Sequence, residues 1–271
     1  MELKVVRYEV SEHVGTVTLN RPHRLNAWTG RMHAEYRWAI GQAEDDADVG
    51  AIIVTGEGRG FCAGADSLAL EGHVAKGGYD PGTPDEMANP GYGLSPEFDH
   101  NFSFHFGLTK PVIAAINGPA AGVGLVMACY ADLRFAAAGA KLTTSHGKLG
   151  FPPEYGLSWL LPRIIGLTHA NDLLLSSRTI VAEEALAMGL LNAVYPAEEL
   201  MARVREYAGN LAKHVSPASL KATKSAIYRD LLRGIGASIE EGEAGLRAMA
   251  KGPEFREGVA ALVEKRQPRF R

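Results

Sequence analysis

Apolar strands that run directly into turns of small residues recur along this chain, and they constrain its fold more than any other feature. Residues 51–55 (Ala-Ile-Ile-Val-Thr) feed Gly56-Glu57-Gly58-Arg59-Gly60. Residues 112–116 feed Asn117-Gly118-Pro119, then an apolar helix over 122–130 and a strand at 133–136. A third step has a strand at 141–143, a loop, and then Leu157, Leu160, Leu161, Ile164 and Ile165 at the i, i+3, i+4, i+7, i+8 spacing of an amphipathic helix. Strand, turn and helix in succession is the pattern of an α/β fold. No sequence repeat of solenoid period accompanies it, so the steps are layers of one fold.

The flanking segments extend this reading. Residues 5–9 and 14–19 alternate apolar and polar side chains around Ser11-Glu12-His13, the pattern of an opening hairpin. After Asn20-Arg21-Pro22, Thr29 is placed to cap a helix carrying Met32, Tyr36, Ala39 and Ile40 at helical spacing. Residues 72–96 are dense in glycine and proline and read as a mobile loop over a site. From Glu183 onward the pattern is almost wholly helical: Leu200, Val204, Tyr207 and Leu211 form one stripe, and further helices are expected over 219–233, 238–250 and 253–265. The expected organisation is an α/β core over 1–195 and a helical region over 196–271.

Charge and cysteine content exclude several functions. With 28 Lys+Arg against 31 Asp+Glu, the formal charge of -3 argues against bulk electrostatic binding to nucleic acid or an anionic membrane. The longest apolar runs fall short of the roughly 20 residues that span a bilayer, and no signal-peptide pattern opens the chain, so a cytoplasmic protein is expected. Cys62 and Cys129 are the only cysteines, too few for a disulfide framework. The nine histidines lack the spacing of metal ligands, and no metal is expected. The turn Gly56-x-Gly58-x-Gly60 is not a dinucleotide-binding fingerprint.

Chemistry concentrates in two segments, Gly60-Phe61-Cys62-Ala63-Gly64-Ala65-Asp66 and Asn117-Gly118-Pro119-Ala120-Ala121-Gly122-Val123-Gly124. Small residues let a ligand approach main-chain N–H groups. In the second segment the amides of Gly122, Val123 and Gly124 open a helix, where they lack intrahelical partners and favour negative charge. Two such amides form an oxyanion hole. The same small residues also serve close packing of strand on helix, and from the sequence pattern both readings stand.

Together with Asn20-Arg21-Pro22, Asn26-Ala27 and Lys110-Pro111-Val112-Ile113-Ala114-Ala115-Ile116-Asn117-Gly118, the string from Ile52 to Asp66 resembles the crotonase (enoyl-CoA hydratase/isomerase) superfamily. The likeness continues through Ala131-Asp132-Leu133-Arg134-Phe135-Ala136, Leu161-Pro162-Arg163, Ala182-Glu183-Glu184-Ala185, Gly189-Leu190 and Glu264-Lys265-Arg266, and so covers nearly the whole chain. The resemblance implies a spiral of repeated ββα units with a helical C-terminal trimerisation region, assembled as a homotrimer or dimer of trimers. It implies an acyl-CoA thioester as substrate and no cofactor beyond the coenzyme A that the substrate carries. By position it puts the oxyanion amides on Ala65 and Val123. Ala63, Asp66, Ser67, Leu68, Gly122 and Val126 would line the substrate, with Leu262 and Lys265 contacting CoA of a neighbouring subunit. Without that context Lys265 reads as a solvated helix residue.

The departures from the family pattern direct the mechanism. The two glutamates that activate water in the hydratases fall on Val126 and His146 here, and a valine takes no proton. Glu154, in Gly150-Phe151-Pro152-Pro153-Glu154-Tyr155-Gly156, stands where the resembling dienoyl-CoA isomerases carry an acid facing the substrate. A single carboxyl in an apolar setting can move a proton between two carbons of an enolate. From sequence alone it reads equally as a cap for the following helix. His146 is a natural general base near neutrality, and with Glu154 it resembles the pairing in members that cleave carbon–carbon bonds; a loop histidine is also commonly structural. The expected function is isomerase-like proton transfer by Glu154. The alternatives are a C–C bond hydrolase or lyase using His146 with Glu154, and a non-catalytic acyl-CoA-binding protein. Phe98, Phe102, Phe104, Phe106 and Tyr92 are candidates to border an acyl pocket, or to be aromatic core.

Overall fold

The computed structural model describes residues 2–77 and 95–270. Its first hairpin joins β1 (Val6–Ser11) to β2 (Val14–Leu19) through Glu12 and His13, both at positive φ (50° and 66°). That mirror-image turn matches the twist of the strands it connects. Helix α1 (Gly30–Asp45) follows, capped as expected by Thr29, whose Oγ1 accepts the Met32 amide at 3.1 Å.

Strands β3 (Ala51–Gly56) and β4 (Val112–Ile116) are buried along their whole length, which is why they read as unbroken apolar runs. Between them, α2 (Ser67–Lys76) occupies the start of the segment expected to be loop; the rest of that segment, with Tyr92, lies largely outside the described residues. The chain then gives β5 (Ala120–Ala121), α3 (Val123–Tyr130), β6 (Leu133–Ala137), β7 (Lys141–Thr143) and α4 (Leu157–Ser176). Helix α4 is two helical pieces joined at Gly166, whose φ of 72° and ψ of 162° leave the helical region. Next come β8 (Ile180–Val181), α5 (Ala182–Ala187), β9 (Ala193–Tyr195), α6 (Leu200–His214), α7 (Pro217–Asp230), α8 (Ile235–Met249) and α9 (Pro253–Glu264). Beyond Glu183 the chain is almost wholly helical, as expected, and the short β9, which pairs with β6, closes the core at Tyr195.

Two sheets stack by a spiral path. The larger runs β1-β2-β3-β4-β6-β9, antiparallel only at the opening hairpin. The smaller is β5-β7-β8, continued by parallel bridges from Cys62 to Ala120 and from Trp28 to Ala65. On successive turns the chain adds a strand to the large sheet, a short extended piece to the small one, and then a helix. This is the expected ββα spiral.

The large sheet is buried on both faces. Val17, Leu19, Ile52, Val54, Val112, Ala114 and Ile116 pack with Met32, Tyr36 and Ile40 of α1 in the main core. Val14, Ile53, Ile113, Ala115 and Phe135 meet Leu200, Val204, Ala208 and Ala212 of α6. The buried stripe of α6 ends on two alanines, whereas Tyr207 stands 41% exposed with its ring 5.2 Å from that of Phe135. The first helix beyond residue 195 therefore lies flat on the sheet. The later arm is tied down by Lys224, which donates to Asp132 (2.7 Å) and to the Lys110 carbonyl (2.9 Å), and by Tyr228, which donates to Asp132 at 2.6 Å. No helix among the described residues is long and apolar enough to cross a membrane.

Candidate active site

Two asparagines fix the first small-residue turn. Asn26, fully buried, donates through Nδ2 to the carbonyls of Glu57 (3.0 Å) and Gly60 (2.7 Å) while its Oδ1 accepts the Arg21 amide. Asn117 accepts from the Gly56 amide and donates to the carbonyls of Gly56 and Gly58. The separated motifs at 20–27, 56–60 and 117 are one hydrogen-bonded unit in space.

Beyond that unit the backbone of 62–66 is shared between two neighbours. Cys62 bonds to the strand at 119–121, with its amide donating to Pro119 and its carbonyl accepting from Ala121. Gly64, at φ 102°, reverses the direction of the next peptide, so that its carbonyl accepts from Trp28 and Asp66 donates to Trp28. This pairing turns the N–H of Ala65 away from Trp28, and Ala65 is exposed. Opposite, Gly122 (φ 48°, ψ −121°) enters α3, whose first intrahelical acceptor is the Gly122 carbonyl, taken by the Val126 amide. The amide of Val123 thus belongs to the unpaired first turn. A Cβ on Gly122 would lie 4.0 Å from the Gly64 Cα, so the two turns abut.

Other expected site residues have different tasks. The amide of Ala63 donates to Leu25 and that of Gly122 to Thr143. Asp66 is buried and ion-paired to Arg21 (2.9 Å) and Arg24 (3.2 Å), and it also accepts the Leu68 amide. Burial opposes its ionisation, but these donors outweigh that and hold its carboxyl below the usual range. Its side chain is an anchor for the start of α2. Ser67 accepts from Arg24, and Leu68 is 65% exposed beside it. Val123 and Val126 bury their side chains in the main core. Leu262 and Lys265 are exposed on and just after α9, where Leu262 lines a groove among the last three helices. Burial pushes the Cys62 thiol up to about 12 and the Cys129 thiol to about 11, so neither is an activated nucleophile.

The loop after β7 brings His146 beside this region. Gly122 is within 4.0 Å of Ser145 and Thr144 by its built Cβ, and the loop is tied to the end of α4 by Thr144 Oγ1 donating to Leu173 and Gly147 donating to Ser177 Oγ. His146 is 5% exposed. Its Nε2 lies 3.0 Å from the Leu174 carbonyl; a carbonyl only accepts, so Nε2 carries a proton. Nδ1 is buried with no hydrogen-bond partner among the described residues.

Glu154 precedes α4 without capping it. The helix begins at Gly156 with no side-chain cap, and it is the Glu154 carbonyl that accepts the Leu157 amide. Among the described residues no hydrogen bond or ion pair reaches its half-buried carboxylate. Burial raises its pKa, and the His146 charge draws it only partly back. Tyr130, the last residue of α3, donates to the Tyr155 carbonyl at 2.6 Å, and a Cβ on Gly156 would come 3.0 Å from that hydroxyl. Helix α3 thus has the Gly122-Val123 turn at its start and the Glu154 segment at its end.

Behind that segment lies a cavity of about 530 Å³ lined by Phe98, Phe102, Phe106, Tyr130, Tyr155 and Trp159 among others. Phe104 is not among its walls, and instead lies under the Arg37 guanidinium, 3.5 Å from the ring centroid. Sequence reasoning also missed the pair of Tyr36 and His105, bonded at 2.8 Å in the core, where burial holds the imidazole well below its usual pKa. Nothing in the local pattern separates that histidine from a surface one.

The sequence profile of the family described as Enoyl-CoA hydratase/isomerase matches residues 9–271. Among curated relatives, the 1,2-epoxyphenylacetyl-CoA isomerase of Escherichia coli K12 is 34% identical over 99% of this chain and 98% of its own length. The short-chain-enoyl-CoA hydratase of Clostridium acetobutylicum is 31% identical over 98% of this chain and 97% of its own. The crystal structure of an enoyl-CoA hydratase from Bacillus anthracis superposes with a TM-score of 0.85 at 27% identity, covering 98% of this chain and 99% of that one.

Proposed function

This chain belongs to the enoyl-CoA hydratase/isomerase family, and from that premise we propose that it is an enoyl-CoA isomerase in which Glu154 carries the proton. The substrate is an acyl-CoA thioester with a double bond between C3 and C4. The Glu154 carboxylate removes a proton from C2, the electrons of the C–H bond form a C1–C2 double bond, and the thioester π electrons move onto oxygen. The amides of Ala65 and Val123 receive that oxyanion, stabilising the charge where it develops. Glu154 then gives the proton to C4, where the C3–C4 π electrons form the new C–H bond; the C1–C2 electrons move between C2 and C3, and the oxyanion re-forms the thioester carbonyl. No atom is gained or lost, and no water takes part.

The observation that carries this reading is the state of Glu154: a half-buried carboxylate with a raised pKa and no ion-pair partner among the described residues. At the two positions where the hydratases carry glutamates, Val126 is core and His146 is an imidazole. The test is incubation of 3-enoyl-CoA esters in deuterated water with mass spectrometry of the products. Deuterium uptake with migration of the double bond, lost in Glu154→Gln, is the expected result. A hydrated product, or full activity in Glu154→Gln, overturns it.

A second reading follows from the unpartnered Nδ1 of His146, whose lone pair is available when the ring is neutral. In that reading His146, its ring held by the Leu174 carbonyl and lying in the field of Glu154, is the base that takes a proton from water as the water attacks a carbonyl of a β-dicarbonyl thioester and the carbon–carbon bond breaks to an enolate. His146→Ala then abolishes turnover while Glu154→Gln leaves a remnant.

A further inference from the structure

The aromatic cavity behind Glu154 has a composition that an alkyl tail does not require. Half of its twelve lining residues are Phe, Tyr or Trp, and their rings interlock: Phe102 meets Tyr155 edge-on at 5.2 Å, and Phe98 meets Phe106 at 5.4 Å and 88°. Phe106 is in turn stacked at 3.8 Å on Tyr228 of α7, and Trp159 is covered by the guanidinium of Arg163 at 3.9 Å. Walls braced in this way present fixed ring edges and faces, which favour another aromatic ring in offset or edge-on contact. An apolar cavity of about 150 Å³ already takes up benzene, so 530 Å³ holds a ring with its linker and a substituent.

One wall is polar. The Oδ1 of Asn101 is buried with no hydrogen-bond partner among the described residues, while the neighbouring Ser103 hydroxyl is committed to the Phe98 carbonyl at 2.8 Å. A hydrocarbon ligand leaves that oxygen as unpaired as it is without one, whereas a ligand donor that the Asn101 side chain turns to meet adds a hydrogen bond worth about 0.5–1.5 kcal/mol. A hydroxyl both donates and accepts, so it satisfies the Asn101 amide in either orientation of its oxygen and nitrogen.

The cavity is also placed for the far end of an acyl group. It begins at Tyr155 and Gly156, directly after Glu154, and at Tyr130, seven residues along α3 from Val123 and so about 10 Å from it. Phe102 in its wall contacts Trp28 at 5.6 Å, the residue that pairs with Ala65. We propose that the cavity lined by Phe102, Tyr155, Trp159 and Asn101 selects acyl-CoA esters whose acyl chain ends in a hydroxyl-bearing aromatic ring. The inference rests on the thioester reading above and adds the substrate class to it.

Binding of saturated, unreactive esters tests the assignment independently of proton transfer. The probes are 3-(4-hydroxyphenyl)propanoyl-CoA, 3-phenylpropanoyl-CoA and nonanoyl-CoA, titrated calorimetrically into the full chain and into Asn101→Ala. The hydroxylated ring is expected to bind roughly three- to tenfold more tightly than the bare ring, and the bare ring more tightly than the nine-carbon chain. Asn101→Ala should erase the hydroxyl preference while still binding the bare ring, which also reports that the variant is folded. Nonanoyl-CoA binding as tightly as the ring esters, or a hydroxyl preference that survives Asn101→Ala, overturns the inference and leaves Glu154 chemistry standing. Failure of every ester to bind overturns the thioester reading and this inference together.

Discussion

A Cβ built on Gly124 would overlap the carbonyl oxygen of Cys62 and lie 2.8 Å from the Cys62 Cβ. The first turn of α3 is therefore pressed against the backbone of the other small-residue turn, and the spacing of the Ala65 and Val123 amides depends on an absent methyl group. Gly124→Ala is expected to push the turns apart, lowering turnover about 100-fold, since a misplacement near 1 Å has that effect. Wild-type kcat in a folded Gly124→Ala protein would show that the two turns are not coupled.

Glu154 carries a stability signature as well as a chemical one. Its folded-state pKa is raised above 4.5 by burial, so between that value and the raised one the folded protein holds more protons than the unfolded chain. Stability from this group is full below the unfolded pKa and declines as pH rises through the window. Glu154→Gln removes the loss: its melting temperature is expected to exceed that of the parent at pH 8, with the gap closing below about pH 4.5. Thermal melts of both proteins across pH check the crossover, and an equal gap at every pH would contradict it.

Glu35 shows the opposite sign. Its Oε2 accepts the amides of Lys4, Val5 and Val6 at 2.7–3.0 Å, and Oε1 accepts from Arg31 at 2.6 Å. Burial works against its ionisation, but these donors prevail and lower its pKa. Its contribution is present above the ordinary carboxylate range and is lost as pH falls through the lowered value. Glu35→Ala leaves three strand-entry amides without their acceptor and is expected to cost about 3 kcal/mol in denaturant unfolding.

Asp132 joins the helical arm to the sheet. One oxygen accepts Lys224 and the Val112 amide, and the other accepts the Tyr228 hydroxyl. Asp132→Ala leaves a buried ammonium without its counter-ion, held only by the Lys110 carbonyl. Faster amide exchange over 217–230, with little change in α1 and β3, is the expected outcome; uniform acceleration across the chain would mean that the arm and core open together.

Much of this was legible in the residues. The cap at Thr29, the buried strands at β3 and β4, and the two small-residue turns each left a local pattern, because each depends on propensity or steric demand within a few positions. The ββα spiral was expected through the family resemblance. Strand β9 left little trace: three half-buried residues between helices carry no period to read. Helix α2 includes Gly72 and runs into a glycine-rich stretch, so composition pointed to loop, whereas the Asp66 carboxylate accepting the Leu68 amide starts a helix there. The walls of the aromatic cavity come from segments distant in sequence, and their convergence is a property of the spiral.

The position of α6 bears on how the chain reaches this state. Val14, Ile53 and Ile113 line one face of a sheet whose strands are synthesised long before Leu200, Val204 and Ala208 exist to cover it. A nascent chain leaving the ribosome carries that face bare until α6 arrives, and contacts of such sequence separation are slow to form. Chaperone dependence and aggregation during expression should therefore respond most sharply to substitutions in α6, although that helix lies on the opposite side of the sheet from α1.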